Sequence, residues 1–316
     1  MKQNTVRRTV FPILAAFIWG TAFVAQSIGA EYVGPLTFNT ARSAIASAVL
    51  LAVSWIFRRI RRRDFAGEAR PDPRYRRELL PGGLCCGCIL TVAANLQQLG
   101  LKTTTSGKAG FLTAMYIVLV PVFGLFFHKR VAPTIWVSVG LAVAGLYFLC
   151  IGEGFSISRG DLYMIACSVC YTVHILAIDH FTRYVDGVEL SCAQFLVMTV
   201  LSGAGMLLFE TPSFSGLHAC LGALLYAAVF SSCIAYTLQI LAQKDANPTV
   251  LSLLLSLESV FAVLAGALVL HDHMSGREYF GCALMLCAVV LAQLPGRRPA
   301  GEAASPDLGL KKPDGI

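Results

Sequence analysis

Charge is scarce in this chain. Lysine, arginine, aspartate and glutamate supply 14% of its 316 residues, where a soluble domain carries about a quarter. With 56% hydrophobic residues and a mean hydropathy of +0.67, there are too few charges to clothe two soluble domains. A phosphate-binding loop is missing as well. The Gly107-Lys108 pair follows Thr103-Thr104-Thr105-Ser106, without the strand and GxxxxGK[ST] spacing that cradles a nucleotide. Any work done must therefore draw on a gradient, or movement is passive. Metal and redox chemistry lack their settings too. The eleven cysteines, among them Cys85-Cys86-Gly87-Cys88 and the Cys167, Cys170 pair, lie in apolar runs and read as small packing residues. His271-Asp272-His273 has ligand residue types, but three adjacent positions cannot converge on one ion from a regular helix. No metal, cofactor or catalytic group is expected.

What the chain has in abundance is apolar sequence in long runs. Ten can be delimited: Val10–Gly29, Pro35–Phe57, Leu79–Leu101, Gly107–Phe127, Ala132–Ile151, Leu162–Ile178, Leu190–Phe209, Leu217–Ala242, Val250–Leu270 and Gly276–Leu294. Each is close to the roughly 17–25 residues that a helix needs to cross a bilayer. The first run continues for about 20 residues, which suits a full span better than the apolar core of a cleaved leader. The formal charge of +7 would suggest nucleic acid if it covered one face. It sits between the runs instead, where it sets orientation.

With the N-terminus in the cytoplasm, the inside segments hold Lys2, Arg7, Arg8, the nine arginines from Arg58 to Arg77, Lys129, Arg130, Arg183, Lys244, Arg297, Arg298, Lys311 and Lys312. The outside ends hold Lys102, Lys108, Arg159 and Arg277. This bias puts both termini in the cytoplasm. The Arg58–Arg77 loop reads as a topological anchor, with anionic lipid headgroups or a cytoplasmic partner as its alternative ligands. The tail 295–316, rich in Pro, Gly, Ala and charge, is expected to be disordered.

The chain repeats itself. A hairpin from Ser106 to Leu149, with a basic turn at His128-Lys129-Arg130, has a weaker copy between Asn247 and Leu291, with its turn at His271-Asp272-His273. Leu119-Val120-Pro121-Val122-Phe123 aligns with Leu257-Glu258-Ser259-Val260-Phe261, and Gly140 with Gly281. At the offset that relates Gly140 to Gly281, Thr91, Asn95 and Gln98 match Ser232, Tyr236 and Gln239, each trio on one helix face by its i, i+4, i+7 spacing. Five spans in 1–154 and five in 155–294 make an odd-numbered repeat, so the second half stands inverted relative to the first. The expected fold is an all-α integral membrane protein of ten transmembrane helices in two inverted five-helix repeats. Pro121 should kink the fourth span.

Trp19-Gly20, Arg42, Leu99-Gly100-Leu101, Ala109-Gly110-Phe111-Leu112-Thr113, Val120-Pro121, and Leu257-Glu258 with Gly281 together resemble the EamA family of the drug/metabolite transporter superfamily. The resemblance runs to about Leu294. The family's second-half Glu-Pro appears as Glu258-Ser259, and its acidic residue near the end of the ninth span as Asp272. It implies a central cavity walled by the first, third, fourth, sixth, eighth and ninth helices, and export as the direction of transport.

In hydrocarbon a polar side chain must face the bundle interior or water, so polar helix faces map a pathway. Trp19 and Gln26, Asn95 and Gln98, Tyr171 and His174, and Tyr236 and Gln239 form four such faces, and Tyr116 adds an aromatic. Any single member is equally an interhelical hydrogen bond worth about 0.6 kcal/mol; the set points to a substrate cavity. Glu258 lies about 12 Å into its span, where a charge costs on the order of 2.5–3.5 kcal/mol. It should be paired, protonated or facing water, and either carries protons or fixes the packing. Arg42, about 10 Å into the second span, either binds an anionic group or snorkels outward. His174 either relays protons or is simply hydrogen-bonded.

These residues describe a secondary transporter of the plasma or inner membrane, a monomer or homodimer in the lipid bilayer. Its small-molecule substrate is an amino acid or another amphipathic metabolite, with proton coupling through Glu258 and no nucleic-acid partner. A membrane-embedded enzyme on lipid-linked substrates would need a motif joining Arg42, His174 and Glu258, and there is none. A non-transporting sensor or assembly subunit is the remaining alternative.

Overall fold

The structure, a computed structural model, describes residues 6–64, 73–104, 106–126, 131–150, 158–244, 246–269 and 275–293. The expected turns at His128-Lys129-Arg130 and His271-Asp272-His273, the boundary near Gly154 and the tail from Leu294 lie outside these residues.

Among the described residues ten helices run in the expected order. A π-helical turn, Val6–Val10, leads into α1 (Phe11–Tyr32), followed by α2 (Pro35–Asp64) and α3 (Pro73–Gly100). α4 comes in two pieces, Ser106–Ala114 and Tyr116–Phe126, before α5 (Pro133–Cys150), α6 (Arg159–Phe181) and α7 (Gly187–Phe209). α8 (Leu221–Gln243), preceded by the short helix Phe214–Ala219, is π-helical over Ala227–Ala235. α9 is again in two pieces, Pro248–Leu255 and Glu258–Val269, and α10 is Gly276–Gln293. Among the described residues eight helices are long and apolar enough to cross a membrane, and Pro133–Phe148 in α5 is a shorter apolar helix.

Local chemistry sets the helix starts. Ser158 and Asp161 close a reciprocal capping box on α6, Asp186 accepts from Val188 and Glu189 at the start of α7, and Asn247 caps α9 ahead of Pro248, each satisfying backbone donors that a helix start leaves free. The arginine-rich stretch expected as a loop from Arg58 begins as helix, since α2 runs on to Asp64. Arginine is a good helix former, and Arg59 stacks over Trp55 with 4.3 Å to the ring centroid.

The packing has two-fold symmetry. α5 lies against α10 and α2 against α7, while α3 packs on α6 as α8 packs on α1, and α1 on α9 as α6 on α4. Exchanging the halves maps the first two contacts onto themselves and interchanges the members of the other two pairs. With five helices per half, that exchange also swaps the two ends of the bundle, so the repeats are inverted. Contacts between helix ends agree. Lys108 near the start of α4 meets Asp161 near the start of α6, and Tyr75 at the start of α3 meets Glu189 at the start of α7.

Large apolar side chains point away from the bundle, among them Val200, Leu207, Leu208 and Phe209 of α7 and Phe214. So apolar an outer face belongs in lipid. Inside, α1 crosses α9 closely: a Cβ on Gly20 would lie 2.6 Å from the Glu258 carbonyl oxygen, so only glycine lets these backbones meet.

The fourth span breaks earlier than Pro121, which sits inside the Tyr116–Phe126 piece. The backbone tightens at Met115, where Met115 donates to the Leu112 carbonyl and Val118 to that of Met115. A proline ring crowds the carbonyl one turn before it, and the tightened bonds fall just ahead of that turn. α9 breaks at Ser256 and Leu257, with Leu257 donating to the Leu254 carbonyl and Ser259 to that of Ser256. Met115 and Ser256 stand at the offset that relates Gly140 to Gly281, and within three residues of correspondence in the alignment of Leu119 with Leu257, so the two halves break at neighbouring repeat positions.

Candidate functional site

Beside both breaks lies a cavity lined by aromatic, amide and ionisable side chains. Both halves wall it: α1, α2, α3 and α4 from the first, and α6, α8 and α9 from the second. Eight of the residues singled out from sequence meet there, namely Trp19, Gln26, Arg42, Tyr116, Tyr171, Tyr236, Gln239 and Glu258.

The two ionisable groups hold neutral partners. Arg42, 1% exposed, donates from Nη1 to Gln26 Oε1 at 3.0 Å. Snorkelling is therefore not its state: α2 turns Arg42 into the cavity, and Gln26 of α1 holds it. Glu258, 4% exposed, accepts from the Tyr116 hydroxyl at 3.0 Å. Among the described residues no ion pair within 4 Å joins the two.

Aromatic rings form the wall between them. Trp19 meets Tyr236 edge to face with centroids 4.8 Å apart, and its indole N–H donates to the Ser231 carbonyl at 3.3 Å. A chain of hydroxyls crosses the cavity, Tyr236 donating to Tyr171 at 3.2 Å and Tyr171 to Gln97 Oε1 at 3.3 Å. Gln239 Oε1 is buried without a partner.

Asn95, Gln98 and His174 do not line the cavity, although their helix faces predicted that they would. Asn95 accepts from Asn39 at 3.0 Å and donates to the Thr91 carbonyl and to Ser202, pinning α2, α3 and α7 together. Gln98 donates to the Gln26 backbone carbonyl at 2.8 Å. His174 is bonded through Nε2 to Gln194 at 3.0 Å and stands behind Tyr236 with ring centroids 6.1 Å apart.

The π-helical stretch of α8 explains the mismatch with Tyr236 and Gln239. Ser232 bonds back to the Ala227 carbonyl five residues earlier, whereas its repeat partner Thr91 bonds back four, to Gly87. The wider turn rotates the remainder of α8 about its axis, so equal spacing places Tyr236 and Gln239 in the cavity and Asn95 and Gln98 outside it. On α3 the inward amide is Gln97, which the sequence pattern did not single out. Thr113, Ser231 and the apolar Phe23, Ile175 and Leu255 also line the site without having been singled out. The break at Met115 and the π stretch that present Thr113 and Ser231 leave no periodic signal.

The halves are tied at both ends of the bundle. Where α2, α4 and α6 begin, buried Asp161 accepts from Lys108 at 2.5 Å and from Thr104 at 3.0 Å, and Glu210 accepts from the amides of Leu36 and Thr37 at the start of α2, where a helix end attracts negative charge. At the opposite end Tyr75 donates to Glu189 at 2.5 Å. Burial, then the Glu189 carboxylate, raises the Tyr75 hydroxyl well above the usual phenol range. Among the described residues no group of three His, Cys, Asp or Glu side chains could hold a metal ion.

The model of the EamA-like transporter family matches the chain twice, over residues 9–151 and 158–294. A protein of Archaeoglobus fulgidus named "Uncharacterized transporter" is 31% identical over 284 residues, covering 89% of this chain and 84% of the relative. The "Uncharacterized inner membrane transporter YedA" of Escherichia coli is 25% identical over 303 residues, covering 91% and 92%. A crystal structure superposes with a TM-score of 0.74 at 20% identity, over 91% of this chain and 96% of the other, a likeness of fold.

Proposed function

Because the chain belongs to the EamA-like transporter family, and so is a multi-pass membrane transporter rather than an enzyme, we propose that it moves a small organic metabolite across the cytoplasmic membrane as a secondary transporter. Its two halves, 1–154 and 155–294, rock about the central cavity. The observation that carries this reading is that two repeat-related helix breaks, at Met115 and Ser256, flank one cavity walled by both halves. Interrupted helices at a repeat interface near the midplane are where secondary transporters hold substrate, because unwound backbone offers polar groups that a regular helix keeps for itself.

The ties at the two ends supply the alternation. Opening towards one face parts Lys108 from Asp161 and Glu210 from α2; opening towards the other parts Tyr75 from Glu189. Amide groups beside aromatic rings suit an amino acid or another amphipathic metabolite. We read the direction as export from the family resemblance. We assign both termini and the Tyr75 end to the cytoplasm from the distribution of basic residues. One chain supplies every wall of the cavity, which serves a monomer and a homodimer alike.

Counterflow in proteoliposomes tests transport itself: preloaded substrate should drive uptake of the labelled compound, and a protein that exchanges nothing from a broad metabolite panel is not a transporter of this kind. Coupling is assigned to Glu258, the carboxyl group that lines the cavity. An imposed pH gradient should drive transport by the wild type, whereas Glu258→Gln should transport at a rate indifferent to it. An undiminished gradient response in that variant removes Glu258 from coupling.

A further inference from the structure

A guanidinium almost wholly buried in a membrane protein ordinarily faces a carboxylate. Arg42 does not. Its hydrogen-bond partner is the neutral side-chain oxygen of Gln26, and its Nε has none. The carboxyl group lining the same cavity, Glu258, accepts from Tyr116 and forms no ion pair with it. The guanidinium therefore presents unused donors and an unbalanced positive charge to the cavity. A second group is also left over, since Gln239 Oε1 is buried and unpartnered on the same wall.

We propose that Arg42, aimed by Gln26, is the anion anchor of this cavity, and that its ligands are monocarboxylates bearing a hydroxyl or amino group that reaches Gln239 or Glu258. The charge balance selects the anion. With Glu258 protonated, Arg42 is the one charge of the site, so a monocarboxylate neutralises it, while a phosphate dianion would leave excess negative charge in low dielectric. The fork of guanidinium N–H groups matches the two oxygens of a carboxylate. Trp19, Tyr171 and Tyr236 flank an apolar body on the remaining side. Gln26 is a positioning residue: Gln98 holds its backbone carbonyl at 2.8 Å, and its side chain holds Nη1 at 3.0 Å.

The inference rests on reading the cavity as the transport site, and its test separates the two ideas. Purified full-length protein is screened by thermal shift against hydroxy and amino acids of small to aromatic side chain, each paired with its own methyl ester and supplemented by phosphate monoesters. Counterflow is measured with the same compounds. Acids should stabilise the protein and their esters should not. Arg42→Gln should weaken acid binding about 10- to 100-fold, the effect of losing a charge-assisted hydrogen bond, and abolish the preference for acid over ester. Arg42→Lys should fall between, and Gln26→Ala should weaken acid binding by less than Arg42→Gln does. If Arg42→Gln does not fold, the other two variants decide.

Esters binding as well as acids, phosphate monoesters binding in place of acids, a preference unaffected by the variants, or no acid binding at all would each overturn the anchor. Acid binding lost in the variants but without counterflow in the wild type would keep the anchor and remove transport. Counterflow of esters unaffected by Arg42→Gln would do the reverse.

Discussion

Gly20→Ala adds one methyl group where α1 crosses α9, and there is no room for it. The new Cβ would lie 2.6 Å from both the Glu258 carbonyl oxygen and Phe261 Cβ, and 2.8 Å from the Ala262 amide nitrogen. Carbon atoms rest about 3.5–4.0 Å apart, so the helices must part by about 1 Å, and two of the obstructing atoms are backbone, which cannot swing aside. Overpacking of this kind costs about 1–3 kcal/mol. The displaced backbone carries Glu258, whose hydrogen bond to Tyr116 of α4 is 3.0 Å long and is lost beyond about 3.5 Å. A shift of about 1 Å in a binding group should slow transport about 10-fold or more. The control is Gly140→Ala on α5, where an added Cβ meets nothing within 4 Å; it should be neutral or slightly stabilising. Unfolding midpoints of the two purified variants and their initial counterflow rates make the comparison. If Gly20→Ala behaves like Gly140→Ala, the tight crossing does not hold Glu258 in place and the reasoning fails.

Neighbouring amides on α3 should separate binding from packing: Gln97→Ala frees the Tyr171 hydroxyl, which faces the cavity and can turn to water or substrate there, so it should change substrate preference at a smaller cost in stability, while Asn95→Ala should destabilise by about 1–3 kcal/mol, because it leaves the buried Asn39 amide short of a partner, with substrate preference unchanged; denaturation and counterflow of both variants check this. The Tyr75–Glu189 tie predicts an alkaline weakness. The phenol is raised in the folded state above its ordinary value of 10.0, so its contribution is complete below about pH 10 and is lost as pH rises further. Wild type should lose stability there faster than Tyr75→Phe, which has no proton to lose, and parallel melting curves from neutral to alkaline pH would show that the tie contributes nothing.

Much of the fold was legible because lipid imposes a strict rule: each crossing needs a long apolar run with its charges left at the ends. The repeat was legible because related halves kept Gly140 and Gly281, and Thr91 and Ser232, at one offset. Rotation about a helix axis was harder to read. Spacing put Asn95 and Gln98 on the face of Tyr236 and Gln239, which holds for two regular helices. The π-helical Ala227–Ala235 turns one of them, and its Ala, Ser and Cys residues show no pattern that announces it.

Depth along the second span leaves snorkelling open for Arg42, because depth does not say whether a residue faces lipid or a neighbouring helix. Its burial depends on Gln26 of α1, a partner that no local pattern reveals. The break at Met115 was also hidden, since the visible signal was Pro121, and the chain tightens ahead of it.

The account depends on a cavity between the two halves that reaches one side of the membrane at a time. In a cysteine-free background, a single cysteine at Ser231, which lines that cavity, can be probed in oriented vesicles with a membrane-impermeant thiol reagent applied from either side. The account predicts labelling from only one side at rest, from the opposite side as well during substrate counterflow, and protection by saturating ligand. Labelling from neither side in either condition, together with reaction towards a reagent dissolved in the lipid, would contradict it.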